Sequence, residues 1–327
     1  MHGKSKRHRS DFRYFHFILI FVFGCYTFIM LYLGFHHQSN ISADESFHVV
    51  SEDPVTDSRI QFKSQASMAS AEPTVDFEGP LNRSYFLCSI MIARIYSNDP
   101  SRLTAAHLLQ SIRYLRYAGV GHFYIYDNHE TPEESLREDL QYLPFATYVD
   151  WGNHTPYSDR GTQIPAYQHA LDHYGPYCEW QTAVDMDEYP ISEQDIEPGF
   201  MVRFLKRQPR DVGEVSMANY LMLGPMNTDE RLWLAERYTR LTLKPANQLV
   251  KPVYRPRMVF AANLHHNPLA RGRQVDAPTR ELRLAHVQGA RLDKFSSVVS
   301  ARVKAITKED ALLASVVGRV RNWSPRL

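Results

Sequence analysis

From Tyr85 onward, short apolar runs alternate with segments of helical periodicity. The run from Tyr85 to Ala93 is continuously apolar, as expected for a strand that is covered on both faces. Apolar residues then recur at helical spacing from Ala105 to Leu115, with Gly119 as a stop signal. His122 to Asp127 reads as the next strand. This order predicts right-handed crossovers and an α/β fold with a mostly parallel sheet flanked by helices.

The alternation continues to a fourth strand. The predicted elements are a helix from Thr131 to about Leu143, a strand from Phe145 to Val149, a helix from Ile164 to Tyr174, and a strand that runs into Asp185 and Asp187. Beyond Pro190 the pattern weakens. There we expect one strand from Glu214 to Met222, a loop or edge segment from Lys244 to Met258, a short segment from Leu282 to His286, and one or two amphipathic helices from Asp293 to about Val320.

Residues 12–35 form an apolar and aromatic run near the N-terminus. This run is about long enough to cross a ~30 Å hydrocarbon layer as a helix. Basic residues dominate residues 1–11, so the positive-inside rule keeps that end cytoplasmic and sends the rest to the lumen. A cleaved signal peptide is the alternative, but no small-x-small cleavage site follows. We therefore predict an uncleaved signal anchor in a single-pass type II membrane protein of the secretory pathway, with the Golgi as the expected compartment.

Residues 36–84 are rich in Ser, Asp, Glu and Gln and lack sustained periodicity, which is typical of a stem that does not fold alone. Residues 85–327 form the predicted globular domain. The formal net charge is +1, so no overall field indicates a nucleic-acid partner. Cys88 and Cys178 lie in or beside predicted strands, where a disulfide and two buried thiols are both open.

Three carboxylates end the fourth predicted strand, in the order Asp185, Met186, Asp187, Glu188. Along an extended chain, Asp185 and Asp187 would lie on one side and Met186 on the other. Paired carboxylates repel unless a cation lies between them, and oxygen ligands suit Mg²⁺ or Mn²⁺ with substrate phosphates in the remaining positions. The alternative is an acidic turn with solvated carboxylates.

Polar residues also follow the first two predicted strands, namely Arg94 and the pair Asp127-Asn128. Ligands of such sheets bind beyond the carboxyl ends of the strands, so these residues and the acidic segment would share one crevice. The chain lacks a G-x-G-x-x-G after the first strand and also lacks a P-loop. A nucleotide in this crevice would therefore rely on a metal ion at its phosphates. For Asp127-Asn128 the alternative is a plain turn after a strand.

Four segments resemble glycosyltransferases of the GT-A fold, and more narrowly glycosyltransferase family 92 and its family-2-like relatives. They are Ala118 to Asn128, Trp180 to Tyr189, the block from Gln248 through Lys251 and Arg255 to His265, and Ala285-His286 followed by Lys294-Phe295. Together they span roughly residues 85–305. The resemblance implies a metal-dependent, inverting glycosyltransferase that moves a hexose, galactose by family analogy, from a UDP-linked sugar to a glycan.

The resemblance also implies roles for single residues. Asp185, Asp187 and His286 would hold Mn²⁺ or Mg²⁺, Lys251 and Arg255 would face the diphosphate, and Arg94, Asp127 and Asn128 would line the nucleotide pocket. Glu188 is the candidate general base, although an extended chain would turn it away from the two aspartates. Glu214, Asp229 and Glu230 stay open for that role. His286 could instead be an ordinary core or surface histidine, and Lys251 with Arg255 a solvated basic loop.

Two rival functions remain open from the sequence. One is a catalytically inactive glycan-binding relative of the same fold, which would bind sugar irrespective of Mn²⁺. The other is a metal-dependent phosphoesterase, which commonly needs a second metal ion and more His and Asp ligands. One tight carboxylate cluster is visible, which favours the transferase over the phosphoesterase.

Overall fold

The computed structural model describes residues 85–96, 103–224, 227, 229–246, 249–287 and 301–324. The predicted cytoplasmic tail, anchor and stem lie outside the described residues, as do residues 293–300 of the predicted C-terminal helices. Among the helices that the structure describes, none has the length and apolar character needed to cross a membrane.

The described residues form strands and helices in an alternating order up to the fourth strand. The strands are β1 (Tyr85–Ala93), β2 (His122–Asp127), β3 (Ala146–Asp150), β4 (Cys178–Ala183), β5 (Glu188–Ile191), β6 (Val212–Met217), β7 (Asn219–Leu223), β8 (Arg240–Thr242), β9 (Lys251–Tyr254), β10 (Arg273–Asp276), β11 (Arg283–His286) and β12 (Thr307–Glu309). The helices are α1 (Ala105–Ala118), α2 (Arg137–Leu140), α3 (Ile164–Tyr174), α4 (Phe200–Lys206), α5 (Ala301–Ile306) and α6 (Leu312–Asn322).

The larger sheet has seven strands in the order β10-β6-β9-β4-β1-β2-β3. Strands β3, β2, β1 and β4 are parallel, which confirms the predicted α/β class with a mostly parallel sheet. Strand β9 runs antiparallel between β4 and β6. A second sheet, in the order β12-β8-β7-β11-β5, was not predicted from the sequence.

Strand β1 lies inside the larger sheet, between β4 and β2, and is buried on both faces. Leu87 and Met91 belong to the core that includes apolar residues of α1, while Cys88 and Ile90 belong to the core that includes those of α3. Because successive side chains of a strand point to opposite faces, a fully apolar strand requires a cover on each side. Helix α1 on one face and helix α3 on the other therefore hold β1 in place and determine the position of its carboxyl end.

Helix α1 begins after a threonine cap and ends at the predicted stop signal. The Thr104 side chain accepts a hydrogen bond from the His107 N–H at 3.4 Å, which caps the first turn. Gly119 ends the helix in the left-handed conformation with φ of 115°, and a Cβ at this position would lie 2.7 Å from Val202 Cγ2. The conformation and the close approach both require glycine there.

The predicted helix from Thr131 to Leu143 is wrong as a single element. Residues Pro132–Glu134 form one 3₁₀ turn, Ser135 is extended, and only α2 follows as a short helix. The cause is the buried Asp127 carboxylate, whose Oδ2 accepts hydrogen bonds from the Leu136 N–H at 2.8 Å and from the Ser135 hydroxyl at 3.0 Å. These bonds hold Ser135 and Leu136 at the end of β2 and interrupt the helix.

The prediction of one strand from Glu214 to Met222 is also wrong. The segment forms two strands, β6 in the larger sheet and β7 in the second sheet, with Ala218 between them. The alternation of apolar and polar residues cannot reveal that the chain passes from one sheet to another, because strands of both sheets have the same two-residue period.

The basic, proline-rich segment from Lys244 to Met258 contains a strand that was not predicted, because β9 lies inside the larger sheet and not at its edge. Proline is tolerated there since Pro252 is the second residue of the strand and β9 pairs with β4 only at Val253 and Tyr254. The Pro252 carbonyl accepts a hydrogen bond from the Thr182 hydroxyl at 3.1 Å. The consequence for the site is that Lys251 is held by a central strand.

Cys88 of β1 and Cys178 of β4 form a disulfide, which resolves the two alternatives that the sequence left open. The bond closes a loop with a sequence separation of 90 residues. Since such a bond restricts the unfolded chain, we expect its reduction to lower the free energy of unfolding by about 3 kcal/mol. Differential scanning calorimetry with and without reductant should show this loss. A double Cys88→Ala/Cys178→Ala variant is the control, and its melting point should not respond to reductant.

The buried imidazole of His122 should make the protein less stable in acid. Burial lowers the pKa of His122 to about 4, and the Arg116 charge adds to this effect. The unfolded histidine keeps a pKa of about 6.5, so the unfolded state binds more protons and the folded state loses about 3 kcal/mol as the pH falls from about 6.5 to 4. Urea unfolding of wild type and His122→Gln across this range should show a shallower pH dependence for the variant, whereas the exposed His173→Gln should behave as wild type.

Candidate functional site

The acidic segment forms a tight turn between β4 and β5. The Glu188 N–H donates to the Asp185 carbonyl at 3.0 Å, and the Asp185 N–H donates to the Glu188 Oε2 at 2.9 Å. The expectation of an extended chain, with Glu188 turned away, is therefore wrong. Asp187 is 0 % exposed, whereas the Asp185 side chain keeps 20 % of its surface. The turn places Asp185 at an opening and sends Asp187 and Glu188 inward.

Lys251 lies between two carboxylates of this turn. Its Nζ is 3.2 Å from Asp185 Oδ2 and 3.3 Å from Glu188 Oε2, and the residue is 4 % exposed. Burial lowers the pKa of Lys251, but the Asp185 and Glu188 charges outweigh burial and raise it well above its ordinary value. The lysine is therefore a buried ammonium ion and not part of a solvated basic loop.

His286 faces the other side of the turn. Strand β11 pairs antiparallel with β5, which sets His286 opposite Glu188. The His286 Nε2 is 3.5 Å from Asp187 Oδ2, and its Nδ1 is 3.6 Å from Glu188 Oε1. Burial lowers the pKa of His286, but the Asp187 charge and then the Glu188 charge raise it above its ordinary value. Thus each ring nitrogen faces a carboxylate of the turn.

Burial raises the pKa of Glu188, while Lys251 opposes that rise. Glu188 is 1 % exposed. Its Oε2 contacts the Asp185 N–H and Lys251 Nζ, and its Oε1 faces His286 Nδ1. A general base must contact the acceptor hydroxyl directly or through one water. The burial of Glu188 argues against the predicted base role.

Asn219 is a residue of this site that the sequence analysis missed. Its Nδ2 donates to the Leu249 carbonyl at 2.9 Å and lies 3.4 Å from both Glu188 Oε1 and His286 Nδ1. The residue is buried at the start of β7. In the sequence, Asn219 stands out only as an amide within an alternating apolar run. A buried amide can serve many structural purposes, so its position did not indicate a functional role.

A cleft opens at the carboxyl ends of β1 and β4. It is lined by Ile92, Arg94, Leu103, Tyr157, Gln163 and Asp185. The Arg94 guanidinium carbon lies 4.0 Å from the centre of the Tyr157 ring, and Gln163 Nε2 lies 3.5 Å from Asp185 Oδ1. Since β1 pairs with β2 on one side and β4 on the other, the cleft lies at a topological switch point, where α/β sheets bind ligands.

Asp127 and Asn128 are not brought to this cleft. Both are buried, and Asn128 accepts from the Tyr96 hydroxyl at 2.5 Å and donates to the Trp151 carbonyl at 3.0 Å. Burial raises the pKa of Asp127, while its hydrogen bond from the Leu136 N–H opposes the rise. These groups hold the ends of β2 and β3 together. A direct contact of either side chain with a nucleotide stays a prediction.

Arg255 is separated from the acidic turn. Strand β9 runs antiparallel to β4, so Lys251 lies at the carboxyl end of β4 and Arg255 lies at its start. There the guanidinium pairs with Glu179 and stacks over the Trp180 ring at 4.1 Å. Four residues of strand span about 13 Å, so Arg255 lies about that far from Lys251. This distance argues against the predicted contact between Arg255 and the diphosphate.

The other acidic candidates are also engaged elsewhere. Glu214 is buried in β6, and its Oε2 accepts from the Asn267 backbone N–H at 2.9 Å and side-chain amide at 2.7 Å. Asp229 pairs with the exposed Arg231 at 2.7 Å, and Glu230 is exposed. Thus Glu214 holds a loop, and Asp229 and Glu230 lie on the surface.

The site fits a divalent ion that takes few protein ligands. Asp187 Oδ2 and His286 Nε2 face each other at 3.5 Å, and Asp185 lies at the cleft. Within the described residues, no group of three or more His, Cys, Asp and Glu side chains forms a ready-made metal site. Mg²⁺ and Mn²⁺ commonly take one or two carboxylates and fill their remaining positions with water and substrate phosphates. The donor set therefore agrees with an ion that arrives with a diphosphate.

In comparisons with known proteins, the chain matches the model of one protein family. A model of glycosyltransferase family 92 matches residues 103–311, which include the acidic turn, Lys251 and His286 but not Ile92 and Arg94 of the cleft. No curated protein matches the chain. Among solved structures, the chain is similar to a 4-diphosphocytidyl-2C-methyl-D-erythritol synthase from Anaerococcus prevotii, with 11 % identity over 54 % of this chain and 72 % of that one. The TM-score is 0.29, so this likeness carries no argument.

Proposed function

Because the chain belongs to glycosyltransferase family 92 and is therefore a glycosyltransferase, we propose that it moves a hexose from a UDP-linked sugar to a glycan. Galactose is the hexose that family analogy favours, and inversion at the transferred carbon is the expected outcome. The observation that carries the proposal is the meeting of Asp185, Asp187, Lys251 and His286 at the carboxyl end of β4, beside the cleft.

In this proposal, Asp187 and His286 hold Mn²⁺ or Mg²⁺, with Asp185 at the cleft side. When bound, the ion supplies positive charge to the diphosphate that leaves the sugar. Lys251 keeps the acidic turn in place by neutralising Asp185 and Glu188. Arg94, which borders the cleft, contributes a second positive charge to the diphosphate.

We propose the secretory pathway, with the Golgi membrane as the expected site, as the location of this activity. Two observations support it. Residues 12–35 carry the sequence pattern of a signal anchor, and the Cys88–Cys178 disulfide suits an oxidising lumen. Protease protection of the full chain in sealed microsomes tests the orientation, because a luminal domain resists protease until detergent is added.

A thermal-shift panel tests the donor and the metal ion together. The full chain, purified in detergent, is melted with UDP, GDP and CMP, each with and without Mn²⁺. A ligand that binds only the folded state raises the melting point. We expect a shift with UDP that requires Mn²⁺ and is lost in Asp185→Ala. A UDP shift of equal size without Mn²⁺ would overturn the metal role.

A catalytically inactive glycan-binding relative is the second candidate. The observation that favours it is the internal neutralisation of the acidic turn, since Lys251 pairs with Asp185 and His286 faces Asp187. If no nucleotide shifts the melting point but a glycan array shows binding without Mn²⁺, this candidate replaces the transferase.

A further inference from the structure

The position of Glu188 assigns it a role other than general base. We infer that Glu188 is a positioning residue, which accepts the Nδ1–H of His286 and so turns the Nε2 of that ring toward the divalent ion beside Asp187. This inference rests on the proposed metal-dependent function. It concerns a carboxylate that contacts neither the substrate nor the ion.

The first step of the argument is the placement of the imidazole. Because β11 pairs antiparallel with β5, His286 and Glu188 are cross-strand neighbours. Nδ1 faces Glu188 Oε1 at 3.6 Å, and Nε2 faces Asp187 Oδ2 at 3.5 Å. These are ion-pair distances, longer than hydrogen bonds, so a shift of a few tenths of an ångström makes the Nδ1–H bond. The two ring nitrogens thus have separate carboxylate partners.

The second step is the choice of tautomer. A neutral imidazole carries its proton on one nitrogen, and the partner of that nitrogen decides which one. Near Nδ1 lie Glu188 Oε1, which only accepts when ionised, and Asn219 Nδ2, which only donates. Asn219 already donates to the Leu249 carbonyl at 2.9 Å, a shorter contact than its 3.4 Å to His286. Glu188 is therefore the better partner, and it places the proton on Nδ1.

The third step is the fixing of Glu188 itself. Its Oε2 accepts from the Asp185 N–H at 2.9 Å and lies 3.3 Å from Lys251 Nζ, while Asn219 Nδ2 is 3.4 Å from Oε1. The Lys251 ammonium ion thus provides a positive partner for this buried carboxylate on the side away from His286. A carboxylate so restrained is a suitable outer partner for a metal-ligating histidine, because such partners set the ring orientation and raise ligand basicity.

The opposite tautomer makes a different prediction. If Asn219 donated to Nδ1, the proton would lie on Nε2 and point at Asp187. His286 could then hold Asp187 by a hydrogen bond but could not ligate an ion. The two cases are therefore separated by the site of the imidazole proton and by whether Glu188 affects metal affinity.

The first test measures Mn²⁺ affinity directly. The full chain in detergent is titrated with Mn²⁺ at saturating UDP, and free Mn²⁺ is followed by electron paramagnetic resonance. We expect Glu188→Gln to weaken the apparent Mn²⁺ affinity by about 10- to 100-fold. The matched control is Glu138→Gln, which removes one exposed carboxylate and should bind as wild type. Unchanged affinity in a folded Glu188→Gln protein overturns the inference and leaves the proposed function standing.

The second test uses the wild-type chain, so it does not depend on the folding of a variant. Selective ¹⁵N labelling of histidine, with Mg²⁺ as a diamagnetic ion and UDP present, reports which nitrogen carries the proton. The His286 signal is assigned by its loss in His286→Gln. We expect Nδ1–H, whereas Nε2–H overturns the inference. If wild type binds neither Mn²⁺ nor Mg²⁺ with UDP, the metal part of the proposed function fails and takes this inference with it.

Discussion

Replacing Asp187 with asparagine should lower sugar transfer by about 10³-fold, because it removes a proposed ligand of the ion that stabilises the leaving diphosphate. Asparagine is the better probe than alanine, since Asp187 is fully buried and faces His286. Both variants remove the negative charge opposite His286, but asparagine keeps an oxygen acceptor and nearly the same volume, whereas alanine would also leave a cavity beside the buried ring. The measurement is the release of UDP from a UDP-sugar with a glycan acceptor, together with the melting point of each protein.

The matched control is Asp172→Asn on the exposed side of α3, which should retain wild-type transfer and melting point. A normal turnover number in folded Asp187→Asn would contradict the metal role of this carboxylate. Transfer that is lost together with the native circular dichroism spectrum would instead show that Asp187 is needed for folding.

Lys251→Met should destabilise the protein by about 4–5 kcal/mol, because it leaves the two carboxylates of Asp185 and Glu188 together without their ammonium ion. Methionine keeps most of the buried volume, so lost packing contributes little. In a domain of this size, that change corresponds to a fall in melting temperature of about 10–15 °C. Calorimetry at neutral pH measures it, and nucleotide binding should weaken in parallel.

A double variant gives the discriminating control. In Lys251→Met/Glu188→Gln, one of the two repelling charges is gone, so part of the lost melting temperature should return. Lys308→Met, at an exposed position of β12, should change the melting temperature by less than about 2 °C. If Lys251→Met melts like wild type, the ion pairs of Lys251 do not stabilise the fold.

The sequence predicted the first half of the domain well, because local signals and tertiary structure agree there. Strands β1 and β2 have the predicted bounds, and Thr104 and Gly119 cap α1 as their residue types indicate. The helix after Thr131 was mispredicted because a distant side chain, Asp127, competes for the backbone N–H of Leu136. Local propensity cannot show a hydrogen bond that is made only after β2 has been placed.

The site was predicted in part for the same reason. Asp185 and Asp187 are only two positions apart in the sequence, so their pattern was visible, but the turn that separates their environments was not. Lys251 was named as a basic candidate, while its burial in a central strand was hidden by Pro252. Asn219 was missed because its contacts come from segments about 30 and 67 residues away along the chain.

The order of strands in the second sheet has a consequence for synthesis of the chain. Strand β11 inserts between β5 and β7, although it is made after both of them. His286 is the last residue of β11, so the nascent chain cannot complete the site until roughly residue 286 has left the ribosome. Until then, β5 and β7 each expose an unpaired edge, and Asp187 lacks its imidazole partner. A truncation that ends before Arg283 would therefore keep the residues of the acidic turn and of the cleft but lack the His286 side of the proposed metal site.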